Sequence, residues 1–400
     1  MSRLEKKKVS TALVVVTTII VFSLCSNVAT STITNTVVLQ SRGIIEYSHS
    51  GLSYLHTDGG FIKNEFGQIV YLRGCAKMCM EFVVDPDPGA YNVKESDFEN
   101  IKNLLGANVV RIDLALSLLF PTFDVNVSNT VYLGHMDDIV DWCGKREIYV
   151  LFDCHGYYPQ MGAPEDFWNA ENSGIRNPYR NMIRDFWVFI ANRYKGNPTV
   201  FGFDLYNEPW NAVPAVDRPT ASEWKTQVEE WIDAITSVNP KLIFVIENAG
   251  CQMWGFDDWR WIRTSPIDRA NIVYSPHFYP ERAPDGVWKD YVWIDLPGNT
   301  FSKDYSIHNY TVARENIEAF TDNLWQGDLH YPVLVGEFGC FNDESGLCFL
   351  RDFLEVCDTR GWSWTYWAWV GRPQPSYCLV EEDWTTLTQQ GEIVKEYAQS

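Results

Sequence analysis

The sequence predicts an α/β fold: a (β/α)8 TIM barrel with an N-terminal β-hairpin closing the barrel bottom. Three observations predict it. Residues 59–400 carry eight short, nearly continuous apolar runs, as expected of parallel strands buried on both faces. Most of these runs are separated by stretches whose apolar residues recur three and four apart, the period of one helix face. No internal repeat or proline-rich linker interrupts the alternation, so the eight βα units form one domain rather than several.

The elements follow in order. Lys6, Lys7 and Lys8 precede an apolar run from Ala12 to Cys25, and small residues including Ala29 and Ser31 come after it. A basic start, an apolar middle and a small-residue exit mark residues 1–30 as a secretory signal peptide. The run is short of the ~20 residues that span a bilayer comfortably; an uncleaved signal anchor is the alternative. Either way, the bulk of the chain is expected outside the cytosol. Residues 31–58 are rich in Ser and Thr without clear periodicity and are expected to form a leader. The domain at 59–400 opens with Gly60–Lys63 and Gln68–Leu72 around the turn Asn64-Glu65-Phe66-Gly67, a hairpin pattern.

The predicted barrel strands are Val70–Leu72, Asn108–Ile112, Ile148–Phe152, Val200–Leu205, Leu242–Ile246, Ile272–Tyr274, Val333–Val335 and Ser363–Tyr366. Ser96 is expected to cap a helix running to Leu105. Met182–Ile190, Val228–Ile235, Ile317–Leu324, Phe349–Leu354 and Ile393–Tyr397 show the helical period.

Composition narrows the function. The net charge of −20 argues against nucleic acid, because phosphate binding needs a basic surface. It also argues against docking on an anionic membrane. Seventeen Trp suit either a large core or a cleft paved with flat rings, as neutral sugars require. Ten Cys become nine without the signal, so at least one is expected to be unpaired or intermolecular. One or two bridges among Cys340, Cys348, Cys357 and Cys378 are expected in an oxidising compartment. Cys75 and Cys79 lack a second pair at zinc spacing. The sequons Asn126-Val127-Ser128 and Asn309-Tyr310-Thr311 permit glycosylation.

The chemistry sits at strand ends, where such barrels place it. Tyr206-Asn207-Glu208-Pro209 ends strand four and Gly336-Glu337-Phe338-Gly339 ends strand seven. A carboxylate just past a buried strand is costly to desolvate, so it is rarely filler. Two of them across one barrel mouth suit an acid–base and nucleophile pair. A separation of about 5–5.5 Å gives retaining glycoside hydrolysis through a covalent glycosyl-enzyme.

Asn207-Glu208-Pro209 and Glu337-Phe338-Gly339 together resemble glycoside hydrolase family five, the large cellulase family of clan A. The resemblance spans roughly residues 59–400. Arg111 matches the family's strand-two arginine, His155 the strand-three histidine, His277 and Tyr279 the strand-six pair, and Trp367 the strand-eight tryptophan. Chemistry and resemblance agree on roles. Glu208 donates a proton to the glycosidic oxygen and then takes one from water. Glu337 attacks the anomeric carbon, and Arg111 holds it charged. A buried ion pair with Asp113 is the structural alternative for Arg111. Tyr279 orients Glu337, and Asn207 donates to the sugar 2-hydroxyl. His155 and His277 bond sugar hydroxyls or Glu208, and Trp367 stacks on the sugar. Tyr157, Tyr158, Trp168, Trp210, Trp254 and Trp288 extend the cleft in this reading, whereas Trp142, Trp187 and Trp231 belong to the core. The match departs after Leu72-Arg73-Gly74. There Cys75–Cys79 lacks the family's usual Asn, and a long loop through Val83, Asp85, Pro86, Asp87, Pro88 and Gly89 follows.

The resemblance implies a secreted endo-β-1,4-glucanase, monomeric, needing no cofactor and no metal, acting on a neutral β-linked polysaccharide or oligosaccharide. A β-mannanase or another β-glucan hydrolase is the nearest rival. A metal-dependent barrel using Asp113, Asp153, His155 and His277 is disfavoured by the seven His of the chain. A carbohydrate-binding barrel with a dead site conflicts with the presence of both Glu208 and Glu337.

Overall fold

Strand pairing closes the barrel. The computed structural model describes residues 51–80, 93–120, 124–155, 180–209, 220–247, 262, 265–278, 291–295, 299–303, 331–340, 342–369 and 377–400. The signal or anchor segment, most of the leader, the loop at 83–89, Tyr279, the helix expected at Ile317–Leu324, the sequon at Asn309 and the six candidate cleft aromatics lie outside them.

Strands β1 (Leu55–Asp58) and β2 (Phe61–Asn64) form the antiparallel N-terminal hairpin. This differs from the sequence reading, which paired 60–63 with 68–72 and left 55–58 in the leader. The expected pairing survives only as a bridge between Lys63 and Ile69. Leu55 and Ile62 are buried and pack with Val109, Tyr149, Phe201 and Ile243 at the strand starts, so the hairpin does close the barrel bottom.

The barrel strands are β3 (Arg73–Met80), β4 (Val109–Leu114), β5 (Tyr149–Cys154), β6 (Val200–Asp204), β7 (Ile243–Ile246) and β8 (Ile272–Tyr274), the last continuing as β9 (His277–Phe278). After an antiparallel pair, β10 (Tyr291–Asp295) and β11 (Asn299–Lys303), come β12 (Leu334–Val335), β13 (Glu337–Phe338) and β14 (Ser363–Tyr366). The main sheet is parallel, in the order β12-β14-β3-β4-β5-β6-β7-β8. A parallel bridge from Tyr274 to Val333 and the β9–β13 pair join its two ends.

The first barrel strand is the misplaced one. It runs through Arg73–Met80, not Val70–Leu72, so Cys75–Met78 are strand rather than loop. Its polar residues hid it. Arg73 turns down to Asp358 at 2.7 Å, and the buried Lys77 lies 3.4 Å from Asp97. Gly74 leaves no room for a side chain, since a Cβ there would stand 1.9 Å from the Val109 carbonyl oxygen.

Helices pack outside. The first, α1 (Glu95–Asn100), follows Lys94 rather than being capped by Ser96, and continues as a π turn over Ile101–Leu105 that ends at Gly106, φ +77°. Then come α2 (Leu116–Leu119), α3 (Thr130–Lys145), α4 (Arg180–Arg193), α5 (Ala221–Val238), α6 (Glu344–Arg360) and α7 (Gln389–Ala398). Side chains cap α3 (Asn129), α5 (Thr220 with Glu223), α6 (Asp343) and α7 (Thr388), each satisfying amides the helix leaves open.

Two helical tryptophans link packing to the site. Trp187 of α4 donates to the Leu205 carbonyl at 2.9 Å, and Trp224 of α5 donates to the Glu247 carbonyl at 2.9 Å. Trp187 and Trp231 are core, as expected, and Trp142 packs half-buried against it. No disulfide joins any two of Cys340, Cys348, Cys357 and Cys378, so the bridges expected among them are not formed. They occupy separate surroundings: Cys340 is buried just past β13, and Cys348 and Cys357 are on α6.

Candidate active site

The upper ends of β4, β5, β6, β7, β9, β13 and β14 converge. Lateral backbone bonds fix them: His155 N to Leu114 O (2.9 Å), Asn207 N to Cys154 O (3.1 Å) and Trp367 N to Phe338 O (2.9 Å). Of the sequence-predicted site residues, Arg111, His155, Asn207, Glu208, His277, Glu337 and Trp367 meet here; Tyr279 lies outside the described residues.

Arg111 is the centre. It has no exposure, and five carboxylates surround it: Asp113, Asp153, Asp204, Glu247 and Glu337. The shortest contact is Nη1 to Glu337 Oε1 at 2.7 Å, while Nε donates to Asp204 at 3.0 Å. It contacts Asp113 (3.4 Å) and Glu337 together, the partners of both readings. Burial alone would release its proton, but the carboxylates outweigh that and strengthen its hold.

Glu337 is buried in register with His277 across the β9–β13 pair. Glu208 is half-exposed by comparison, with a side chain 17% accessible against 6% for Glu337. A carboxylate oxygen of each lies within 4.8 Å of one of the other, and of a nitrogen of His277. His277 Nδ1 is 2.9 Å from Glu208 Oε1 and 3.7 Å from Glu337 Oε2; its Nε2 is 3.1 Å from Glu247 Oε1. Burial opposes its charge, but Glu247 and Glu337 prevail and hold the imidazole well above its ordinary pKa. Nδ1 thus meets Glu208 at hydrogen-bond distance, while Nε2 stands at ion-pair distance from Glu247, whose own pKa burial pushes well above the ordinary carboxylate value.

Asn207 accepts from Arg111 Nη2 at 2.8 Å, which aims its amide; its buried Nδ2 has no partner among the described residues. A buried orphan donor is expensive, and a substrate hydroxyl would satisfy it. His155 stacks on Trp367, centroids 5.2 Å apart and planes 11° from parallel, and its Nδ1 is 2.7 Å from Asp153. Burial lowers the His155 pKa, favouring the neutral ring. His155 thus supports Trp367 rather than contacting Glu208 through Nδ1.

Sequence reasoning missed Glu247 and Asp204. Glu247 follows the buried run Ile243–Ile246 as Glu208 follows its own strand, so the same rule would have found it. Asp204 lies within a strand and left no comparable signal.

The Cellulase (glycosyl hydrolase family 5) model matches residues 78–372. The chain belongs to glycosyl hydrolase family 5. This family 5 chain is 24% identical over 360 residues to an endoglucanase of Paenibacillus polymyxa, covering 83% of this chain and 84% of the relative. It is also 24% identical over 363 residues to the major extracellular endoglucanase of Xanthomonas campestris pv. campestris, covering 84% and 69%. Its fold matches a β-glucanase from Saccharophagus degradans solved in complex with cellotetraose, with TM-score 0.63, 20% identity, and coverage of 88% and 96%. As a family 5 member it is a glycosyl hydrolase.

Proposed function

We propose that the protein is a secreted, retaining endo-β-1,4-glucanase that works through a covalent glycosyl-enzyme. One observation carries the mechanism: carboxylate oxygens of Glu208 and Glu337 approach within 4.8 Å. That proximity suits direct attack by one carboxylate, as in retaining hydrolysis.

The surroundings divide the roles. Arg111 binds Oε1 of Glu337 and favours its ionised form, so Glu337 attacks the anomeric carbon while the bond to the leaving oxygen breaks. His277 orients the carboxyl of Glu208 through Oε1, and Glu208 passes its proton to the leaving oxygen. Glu208 then takes a proton from water as the water oxygen attacks the same carbon and releases Glu337. Asn207 Nδ2 donates to the sugar 2-hydroxyl, a contact that strengthens in the transition state. Trp367, backed by His155, offers an apolar face to the sugar's C–H surface.

The β-1,4-glucan assignment is supported by the relatives' names, and action outside the cell by the pattern of residues 1–30. The test is hydrolysis of carboxymethyl cellulose, mixed-linkage glucan, mannan and xylan with sizing of products. Rapid shortening of the two glucans to mixed oligosaccharides is expected. Preference for mannan, or release of a single small product from the outset, would contradict the assignment.

A further inference from the structure

Glu247 grips the acid–base residue at two points. It stands just beyond β7, is 3% exposed, and its own carbonyl is fixed by Trp224. Its Oε2 accepts from the backbone N–H of Glu208 at 2.7 Å. Its Oε1 lies 3.1 Å from His277 Nε2, and the other nitrogen of that ring meets Glu208 Oε1 at 2.9 Å. Glu208 itself has φ +40°, a conformation that a non-glycine residue keeps only when its surroundings impose it. One carboxylate therefore holds the backbone of the proton donor directly and is paired with the imidazole that meets its side chain.

We infer that Glu247 is a positioning residue for general acid–base catalysis: it orients Glu208 by binding its backbone amide directly and its carboxyl through His277. The inference rests on the assignment of Glu208 as the acid–base group. Glu247 also lies 3.3 Å from Arg111. A purely structural counter-ion would affect all steps alike, whereas a positioning residue affects only the step that needs proton transfer.

The experiment compares wild type with Glu247→Gln on cellotetraose and on 2,4-dinitrophenyl β-cellobioside, whose leaving group departs without a proton. Glutamine keeps the shape but presents an oxygen at only one of the two contacts, the Glu208 amide or the His277 ring. Proton transfer by a placed side chain supplies 10²–10⁴-fold, so partial misplacement should lower kcat/KM on cellotetraose by roughly 10–100-fold. On the dinitrophenyl substrate kcat/KM should change by less than about threefold, because that constant reports the step needing no acid. Azide, which captures the glycosyl-enzyme without base assistance, should raise kcat of the variant on that substrate. Equal losses on the two substrates, or no loss on either, would overturn the inference. If Glu247→Gln does not fold by circular dichroism, Glu247→Asp, which retracts the carboxylate by one methylene, is read by the same ratio. Wild type inert on both substrates would instead overturn the underlying function, and this inference with it.

Discussion

Arg111 donates from Nη1 to Oε1 of Glu337 at 2.7 Å, and the guanidinium making that bond has no exposure to solvent. It is the cation on which five buried carboxylates converge. Removing one partner of a buried charge set leaves the others uncompensated, at a cost of about 3–5 kcal/mol. Arg111→Met is therefore expected to lower unfolding stability by that amount and to abolish turnover. Denaturant unfolding measures it, and a midpoint equal to wild type would show that the cluster is not held by this residue.

Asp113 gives the site a signature in pH. Burial pushes its pKa up to about 7, against the opposing pull of His155 and Arg111. The unfolded residue titrates near ~3.9. Between these values the native protein holds a proton that the unfolded chain has released, so this group's contribution to stability falls as pH rises from about 4 to about 7 and is level above. Asp113→Asn removes the titration. Melting temperature followed across that window should fall less steeply for the variant, and parallel profiles would contradict the buried-acid reading.

Trp367 should matter for binding more than for folding. Its ring is partly exposed and lies flat on His155. Loss of an aromatic platform is expected to cost about 1 kcal/mol, roughly fivefold in affinity. Trp367→Ala should raise KM on cello-oligosaccharides by that order while leaving the thermal midpoint close to wild type. An unchanged KM would remove Trp367 from the sugar site.

Metal removal should have no effect. Glu208, His277 and Glu337 bring ligand atoms within 4.8 Å of one another, as do Asp113, Asp153 and His155. A divalent ion in the first set would meet the cationic His277, and one in the second would meet Arg111, which already contacts both aspartates. Activity should be unchanged after incubation with EDTA, and inactivation restored by zinc would favour metal chemistry instead.

Much of this was legible in the chain, and the gaps have physical causes. Apolar runs located seven barrel strands because those strands are buried on both faces. The first strand escaped because Arg73, Gly74 and Lys77 break its apolarity, each for a reason only neighbours supply: Asp358, the Val109 carbonyl and Asp97. Glu208 and Glu337 were visible as charges just past buried strands. The same local rule applies to Glu247, but its importance lies in contacts with residues 39 and 30 positions away, Glu208 and His277. The exchange of partners around Arg111 could not be read either, since one arginine facing five carboxylates is a property of the closed barrel rather than of any segment.

The central claim is that Glu337 forms a covalent bond to the sugar, and trapping that bond tests it most directly. A 2-deoxy-2-fluoro-β-cellobioside with a dinitrophenolate leaving group should inactivate the enzyme and add the mass of one fluorinated cellobiosyl unit. Peptide mass spectrometry should place that unit on Glu337, and Glu337→Gln, folded by circular dichroism, should neither turn over substrate nor take up the label. A label on another residue, or no label from a wild-type enzyme whose first product is the inverted anomer, would contradict the account.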